Sequence, residues 1–203
     1  MTKIKLCGLS RPEDIEAANA LRADYIGFVF AGKSRRYVSP ERAAKLRSAL
    51  DDGISAVGVF VNETPEKVAS LLERHIIDAA QLHGTEDEDY IKRLRLLTKR
   101  PIIQAFKIRS KDDLDKARKS TADHILLDAG AGDGLAFDWK ILADFDRPYF
   151  LAGGLTPENA GEAVALLHPY AVDVSSGIES DGVKDKEKMD KFVRAVRGAE
   201  GKE

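Results

Sequence analysis

At 203 residues, with 43% hydrophobic and 33% charged side chains, the chain has the size and composition of one globular domain. Its formal net charge of −2 and isoelectric point near 6.1 exclude a global attraction to nucleic acid or to an anionic membrane, so any bound anion must be held by a local arrangement. One cysteine excludes an internal disulfide, and the opening MTKIKLCGLSRPED has no apolar h-region, so a cytoplasmic protein with no membrane span is expected.

Short β-like runs recur along the chain. They are IKLCG (4–8), YIGFVF (25–30), ISAVGVFV (54–61), AAQLH (79–83), PIIQAFKI (101–108), HILLD (124–128), YFLAGG (149–154) and AVDVSS (171–176). Between them, and after the last, lie PEDIEAANALR, SPERAAKLRSAL, TPEKVASLLERH, DEDYIKRLRLL, KDDLDKARKS, FDWKILADF, TPENAGEAVALL and KDKEKMDKFVRAV. Several of these open on Ser or Thr, then Pro and Glu, which pairs an N-cap with a first-turn proline and acid. FDWKILADF is the expected short helix, with Asp138 as its N-cap, and the tail RAVRGAEGKE reads as a fraying helix end. Eight strand–helix units predict a parallel sheet that closes into a single-domain (β/α)8 TIM barrel over residues 1–203. A doubly wound open sheet is the runner-up, but KLCGLSRPED offers no G-x-G-x-x-G after the first strand.

In such a barrel, functional groups belong at the C-terminal ends of the strands. Strand alternation turns Ile4 and Leu6 outward and Lys5 and Cys7 inward, with Cys7 at the mouth. It likewise turns Val172 and Val174 outward, turns Asp173 and Ser175 inward, and sets Asp128 in phase with Leu126. Lys5 would be buried and needs a carboxylate, for which Asp173 is the candidate. A lone cysteine is more often an inert small hydrophobe, and an Asp after a strand is often a turn residue; position at the active rim is what singles out Cys7 and Asp128. LAGGLTPENA and VSSGIES follow strands seven and eight, where Gly153, Gly154 and Gly177, beside Ser175 and Ser176, let backbone N–H groups approach an anion. That is the recurrent phosphate cradle of these barrels, and it needs no metal. Four scattered histidines and one Cys show no metal-ligand spacing. Arg35 and Arg36, on the loop after strand two, are usually solvated residue types, but on this rim a guanidinium suits a carboxylate.

With these residues in place, the sequence resembles the phosphoribosylanthranilate isomerase family. KIKLCGLS resembles its opening K-x-C-G-[IL]-[TS] motif. GFVFAGKSRRYVSPE, VGVFVNETPEKV, AAQLHG, LLDAG with GDGLAFDW, LAGGLTPENA and AVDVSSGIES follow in order over nearly the whole chain. The resemblance implies a cofactor-free Amadori rearrangement of N-(5-phosphoribosyl)anthranilate to 1-(2-carboxyphenylamino)-1-deoxyribulose 5-phosphate. By position it implies Asp128 as general acid, Cys7 as general base, Arg36 on the anthranilate carboxylate, the 153–154 and 175–177 loops on the phosphate, and His83 and Asp173 along the sugar. Those roles require a thiol driven toward thiolate and a carboxyl with a raised pKa, so opposite shifts are expected at Cys7 and Asp128. One departure stands out: AGAGDG after strand six is compact, and Asp133 stands where the family commonly has a small hydroxyl residue. Two rivals remain open. The histidine-pathway sister isomerase uses a carboxylate where this chain has Cys7, and a non-catalytic sugar-phosphate binder would need neither Cys7 nor Asp128. The sequence leaves monomer and homodimer equally open.

Overall fold

The computed structural model describes residues 1–130 and 139–199. Eight parallel strands close into a barrel in sequential order: β1 (Lys3–Cys7), β2 (Tyr25–Val29), β3 (Ser55–Phe60), β4 (Ala79–Leu82), β5 (Ile102–Lys107), β6 (His124–Asp128), β7 (Tyr149–Ala152) and β8 (Ala171–Val174). β1 pairs with β8 as well as β2, with Lys5 opposite Asp173. The helices are α1 (Pro12–Ala20), α2 (Pro40–Arg47), α3 (Pro65–Glu73), α4 (Glu88–Leu97), α5 (Lys111–Lys119), α6 (Ala160–Leu167) and α7 (Lys186–Ala199). Among the described residues no helix is long and apolar enough to cross a membrane.

All eight expected strands form, with ends that shift by up to two residues where the chain leaves the ladder early. Proline opens α1, α2 and α3, and Ser39 caps α2 by accepting the Arg42 N–H at 3.2 Å. The TPE signal misleads once. α6 starts at Ala160, because Asn159 Oδ1 folds back to accept the Thr156 N–H at 2.8 Å and the intervening residues form a turn. Between β6 and β7 the only helical turn described is a 3-10 turn, Trp139–Leu142, in keeping with an abbreviated sixth helix. Asp133, Asp138 and the end of the tail lie outside the described residues. An unexpected hairpin, β9 (Glu179–Ser180) and β10 (Val183–Lys184), follows β8. Its two-residue turn, Asp181 and Gly182, has φ of 51° and 80°, the Asp-Gly chemistry of a primed turn.

Alternation sorts the strand residues into two cores. Ile4, Leu6, Ile26, Phe28, Ile125, Leu127, Val172 and Val174 pack outward against the helices. Val57, Ala79, Ile103, Leu126, Phe150 and Ala171 fill the barrel interior. At the N-terminal end the rings of Tyr25, His124 and Tyr170 close on Phe150 at centroid distances of 5.3 to 5.9 Å. Phe150 is fully buried, a burial that contributes roughly 1.5–3 kcal/mol. This plugged floor leaves the opposite rim as the open end of a packed barrel among the described residues.

Candidate active site

That rim encloses a cavity of about 500 Å³. Cys7, Arg36, His83, Asp128, Gly153, Gly154, Asp173, Ser175 and Ser176 all line it, so nine of the ten residues singled out in the sequence share one opening. The tenth, Gly177, stands behind it: a Cβ there would lie 1.9 Å from the Leu155 carbonyl oxygen, so glycine lets the loops after β7 and β8 touch. Gly153 and Gly154 have φ of 94° and 66°, a left-handed conformation that glycine adopts without strain. Ser175 Oγ donates to the Cys7 carbonyl at 3.1 Å, tying the β8 loop to the end of β1.

Cys7 sits at the end of β1, nearly buried, with Lys5 two residues below it. Lys5 is fully buried and its Nζ donates to Asp173 Oδ2 at 2.8 Å, the pair expected from alternation. Burial lowers the lysine's proton affinity, but the charge and hydrogen bond of Asp173, with Cys7 close by, outweigh it and the net shift is upward, so Lys5 is a cation. Asp173 Oδ1 is buried and has no hydrogen-bond partner among the described residues.

Asp128 is held from two sides. Its Oδ1 accepts the Gly130 N–H at 3.0 Å and its Oδ2 faces His83 Nε2 at 3.3 Å. The Gln81 amide nitrogen stands 2.9 Å from His83 Nδ1. An amide nitrogen only donates, so Nδ1 accepts, and Nε2 carries the hydrogen that His83 donates to Asp128. Gln81 was not anticipated; its two-residue spacing from His83 on one strand face was the signal. Lys107, at the end of β5, also lines the rim.

The expected pKa pattern is corrected at both groups. Burial pushes the Cys7 thiol up and Asp173 adds to it, while the Lys5 and Lys184 charges pull the other way without prevailing. Burial alone would raise Asp128, but the His83 hydrogen bond, the Gly130 N–H and the nearby charge of Lys107 together bring it below the ordinary range. The structure therefore favours a neutral thiol and an ionised carboxylate.

Arg36 is engaged in a way the sequence did not suggest. Its Nε and Nη2 donate to Glu179 Oε1 and Oε2 at 2.6 and 2.9 Å, and Arg35 and Lys184 bind the same carboxylate. Gly27 was also missed. A Cβ there would stand 2.5 Å from Cys7 Sγ, so glycine inside β2 makes the space for the thiol, and a glycine within a strand was the signal.

The profile of the family described as N-(5'-phosphoribosyl)anthranilate (PRA) isomerase matches residues 4–195. The N-(5'-phosphoribosyl)anthranilate isomerase of Endomicrobium trichonymphae is 46% identical over 202 residues, covering 97% of this chain and 99% of the relative. The crystal structure of the phosphoribosyl anthranilate isomerase from Thermotoga maritima superposes with a TM-score of 0.90 at 35% identity, covering 98% of this chain and all of that one. A second crystal structure, of a phosphoribosyl anthranilate isomerase in complex with reduced 1-(o-carboxyphenylamino)-1-deoxyribulose 5-phosphate, superposes with a TM-score of 0.88 at 36% identity, covering 98% and 100%. On likeness of this extent, in sequence and in fold, the chain belongs to the N-(5'-phosphoribosyl)anthranilate isomerase family.

Proposed function

We propose that this enzyme converts N-(5'-phosphoribosyl)anthranilate to 1-(2-carboxyphenylamino)-1-deoxyribulose 5-phosphate, with Asp128 as general acid and Cys7 as general base. The observation that carries the assignment is that both groups open onto one cavity, from strands separated by β7 and β8, so a ribose between them can be protonated on one side and deprotonated on the other. Asp128 gives its proton to the furanose ring oxygen, the ring opens, and the anthranilate nitrogen takes up the cation as a Schiff base. Cys7 then removes the proton from C2, and the electron pair flows into the carbon–nitrogen double bond to give an enolamine. Tautomerisation to the ketone completes an isomerisation in which no redox partner is consumed. Proton transfers of this kind each contribute about 10²- to 10⁴-fold.

The remaining lining supplies binding and aim. His83, its tautomer set by Gln81, fixes the carboxyl of Asp128. The unpartnered Oδ1 of Asp173 accepts a sugar hydroxyl, which satisfies a buried acceptor. The loops at Gly153–Gly154 and Ser175–Gly177 take the phosphate on backbone N–H groups, and Arg36 takes the anthranilate carboxylate. The test is turnover by the purified enzyme of this substrate and of the histidine-pathway substrate, with growth of an isomerase-deficient host without tryptophan. Failure of both tryptophan-pathway readouts refutes the reading.

A further inference from the structure

Glu179 and Lys184 belong to the β9–β10 hairpin and have no place in the proton transfers above. Glu179 is nearly buried, its side chain 3% exposed, yet it carries a full set of cationic partners. Oε1 accepts from Arg36 Nε at 2.6 Å and Lys184 Nζ at 2.7 Å; Oε2 accepts from Arg36 Nη2 at 2.9 Å and Arg35 Nη2 at 2.7 Å. Lys184 is itself anchored to the Ser175 carbonyl at 2.8 Å. A carboxylate so saturated has no lone pair left to move a proton, and these contacts hold it ionised, down to a pKa of about 2.

The geometry on Arg36 is selective. A guanidinium has two edges that can grip a carboxylate, the side edge of Nε with one Nη, and the terminal edge of both Nη atoms. Glu179 takes the side edge. Nη1 has no hydrogen-bond partner among the described residues, and Arg36 lines the cavity. The stem of the arginine is fixed as well: a Cβ on Gly8, the residue after Cys7, would lie 2.5 Å from Arg36 Cδ, so the stem crosses the backbone at the end of β1.

We propose that Glu179 is a positioning residue: seated by Lys184, it holds Arg36 by its side edge and leaves the terminal edge for the substrate's carboxylate. This rests on the isomerase reading and on Arg36 as the carboxylate site. The competing account is that Glu179 merely offsets the charge of Arg35, Arg36 and Lys184. Glu179→Asp separates the two, because it keeps the charge and shortens the reach by one methylene.

The experiment measures KM, kcat and the Kd of reduced 1-(o-carboxyphenylamino)-1-deoxyribulose 5-phosphate for the wild type, E179D, E179Q, R36M and E179Q/R36M, with inorganic phosphate as a second probe. Positioning predicts that E179D and E179Q each raise KM and the analogue Kd by about tenfold or more, the equivalent of one charged hydrogen bond. Phosphate affinity and kcat stay within about threefold, and E179Q adds less than about twofold in the R36M background, since it acts through Arg36. Wild-type affinity in E179D, tighter analogue binding in E179Q, or additive penalties in the double variant would overturn the proposal. A wild-type enzyme that neither turns over the substrate nor binds the analogue overturns the isomerase reading with it, a result separable from the others because it appears before any substitution. Should E179Q fail to fold, E179D carries the comparison.

Discussion

The mechanism proposed needs a thiolate and a protonated acid, and the cavity favours the opposite pair. Cys7 is pushed up by burial, and Asp128, though burial acts to raise it, is brought down by His83 and the Gly130 N–H. From ordinary values of about 8.5 for a thiol and about 3.9 for an aspartate, the gap is about 4.6 pH units before these effects, which both widen it. The tautomer with the proton on Asp128 and the charge on Cys7 is then less than about one part in 10⁴ of the enzyme, at a cost of about 6 kcal/mol. It has the same net charge as the dominant form, so its fraction is constant between the two pKa values and falls outside them. The expected kcat/KM profile is therefore a plateau across neutrality. Its acid limb lies at or below the usual carboxylate range and its alkaline limb at or above the usual thiol range, since kcat/KM reports the free enzyme. The substrate phosphate titrates near about pH 6 and is subtracted from its own titration. An independent check is the thiolate ultraviolet absorbance of wild type minus C7S, which should appear only in the alkaline limb. Enzyme limbs drawn in toward neutrality, or thiolate absorbance at pH 7, would refute the inverted resting state.

Lys5→Met strands the Asp173 carboxylate inside the barrel and should cost about 3–5 kcal/mol in urea unfolding, whereas K5M/D173N should cost less than the sum of the two single changes; additive losses would remove the pair as a buried unit. C7S and D128N should each lower turnover by about 10²- to 10⁴-fold while the urea midpoint changes little; near-normal rates in either would take that residue out of the mechanism. Glu179, with its folded pKa depressed to about 2, contributes stability that is present above the unfolded glutamate value and is lost as the pH falls through its folded value. The stability difference between wild type and E179Q should accordingly shrink by up to about 3 kcal/mol as the pH falls from about 4.5 to about 2; a pH-independent difference would contradict the ion cluster.

What the sequence disclosed was whatever a strand writes in alternate letters. Two-residue periodicity placed Lys5, Cys7, Asp173 and Ser175 inward, paired Lys5 with Asp173 and aligned Asp128 with Leu126, because side-chain direction is dictated locally by the pleat. The same logic extended to QLH would have found Gln81 beneath His83. What it could not disclose depends on tertiary approach. Arg36 and Glu179 lie 143 positions apart, and nothing in AGKSRRYVSP shows that one edge of the guanidinium is taken. A local clue existed in ESDGVK, where Asp-Gly between extended residues marks a tight hairpin; read that way, Glu179 and Lys184 fall side by side near the rim. The pKa expectation failed for a related reason. It was drawn from what catalysis demands, while the actual shifts follow from Gln81 fixing a histidine tautomer and from the depth of the thiol.

The charge arrangement explains how an enzyme of net charge −2 holds a substrate with both a phosphate and a carboxylate. At the rim and just beneath it, Lys5, Arg35, Arg36, Lys107 and Lys184 face three carboxylates, Asp128, Asp173 and Glu179. Lys5 is committed to Asp173, and Lys184 and Arg35 to Glu179. Arg36 and Lys107 are left facing the cavity, with Asp128 carrying the opposite charge beside them. A surplus so small cannot neutralise a phosphate of about −1.5 to −2 together with a carboxylate. On the proposed assignment the phosphate is then held mainly by uncharged backbone N–H groups, those of the turns at Gly153–Gly154 and Ser175–Gly177. The guanidinium can then be reserved for the carboxylate, and Lys5 and Lys184 for the interior, where each holds a carboxylate in place.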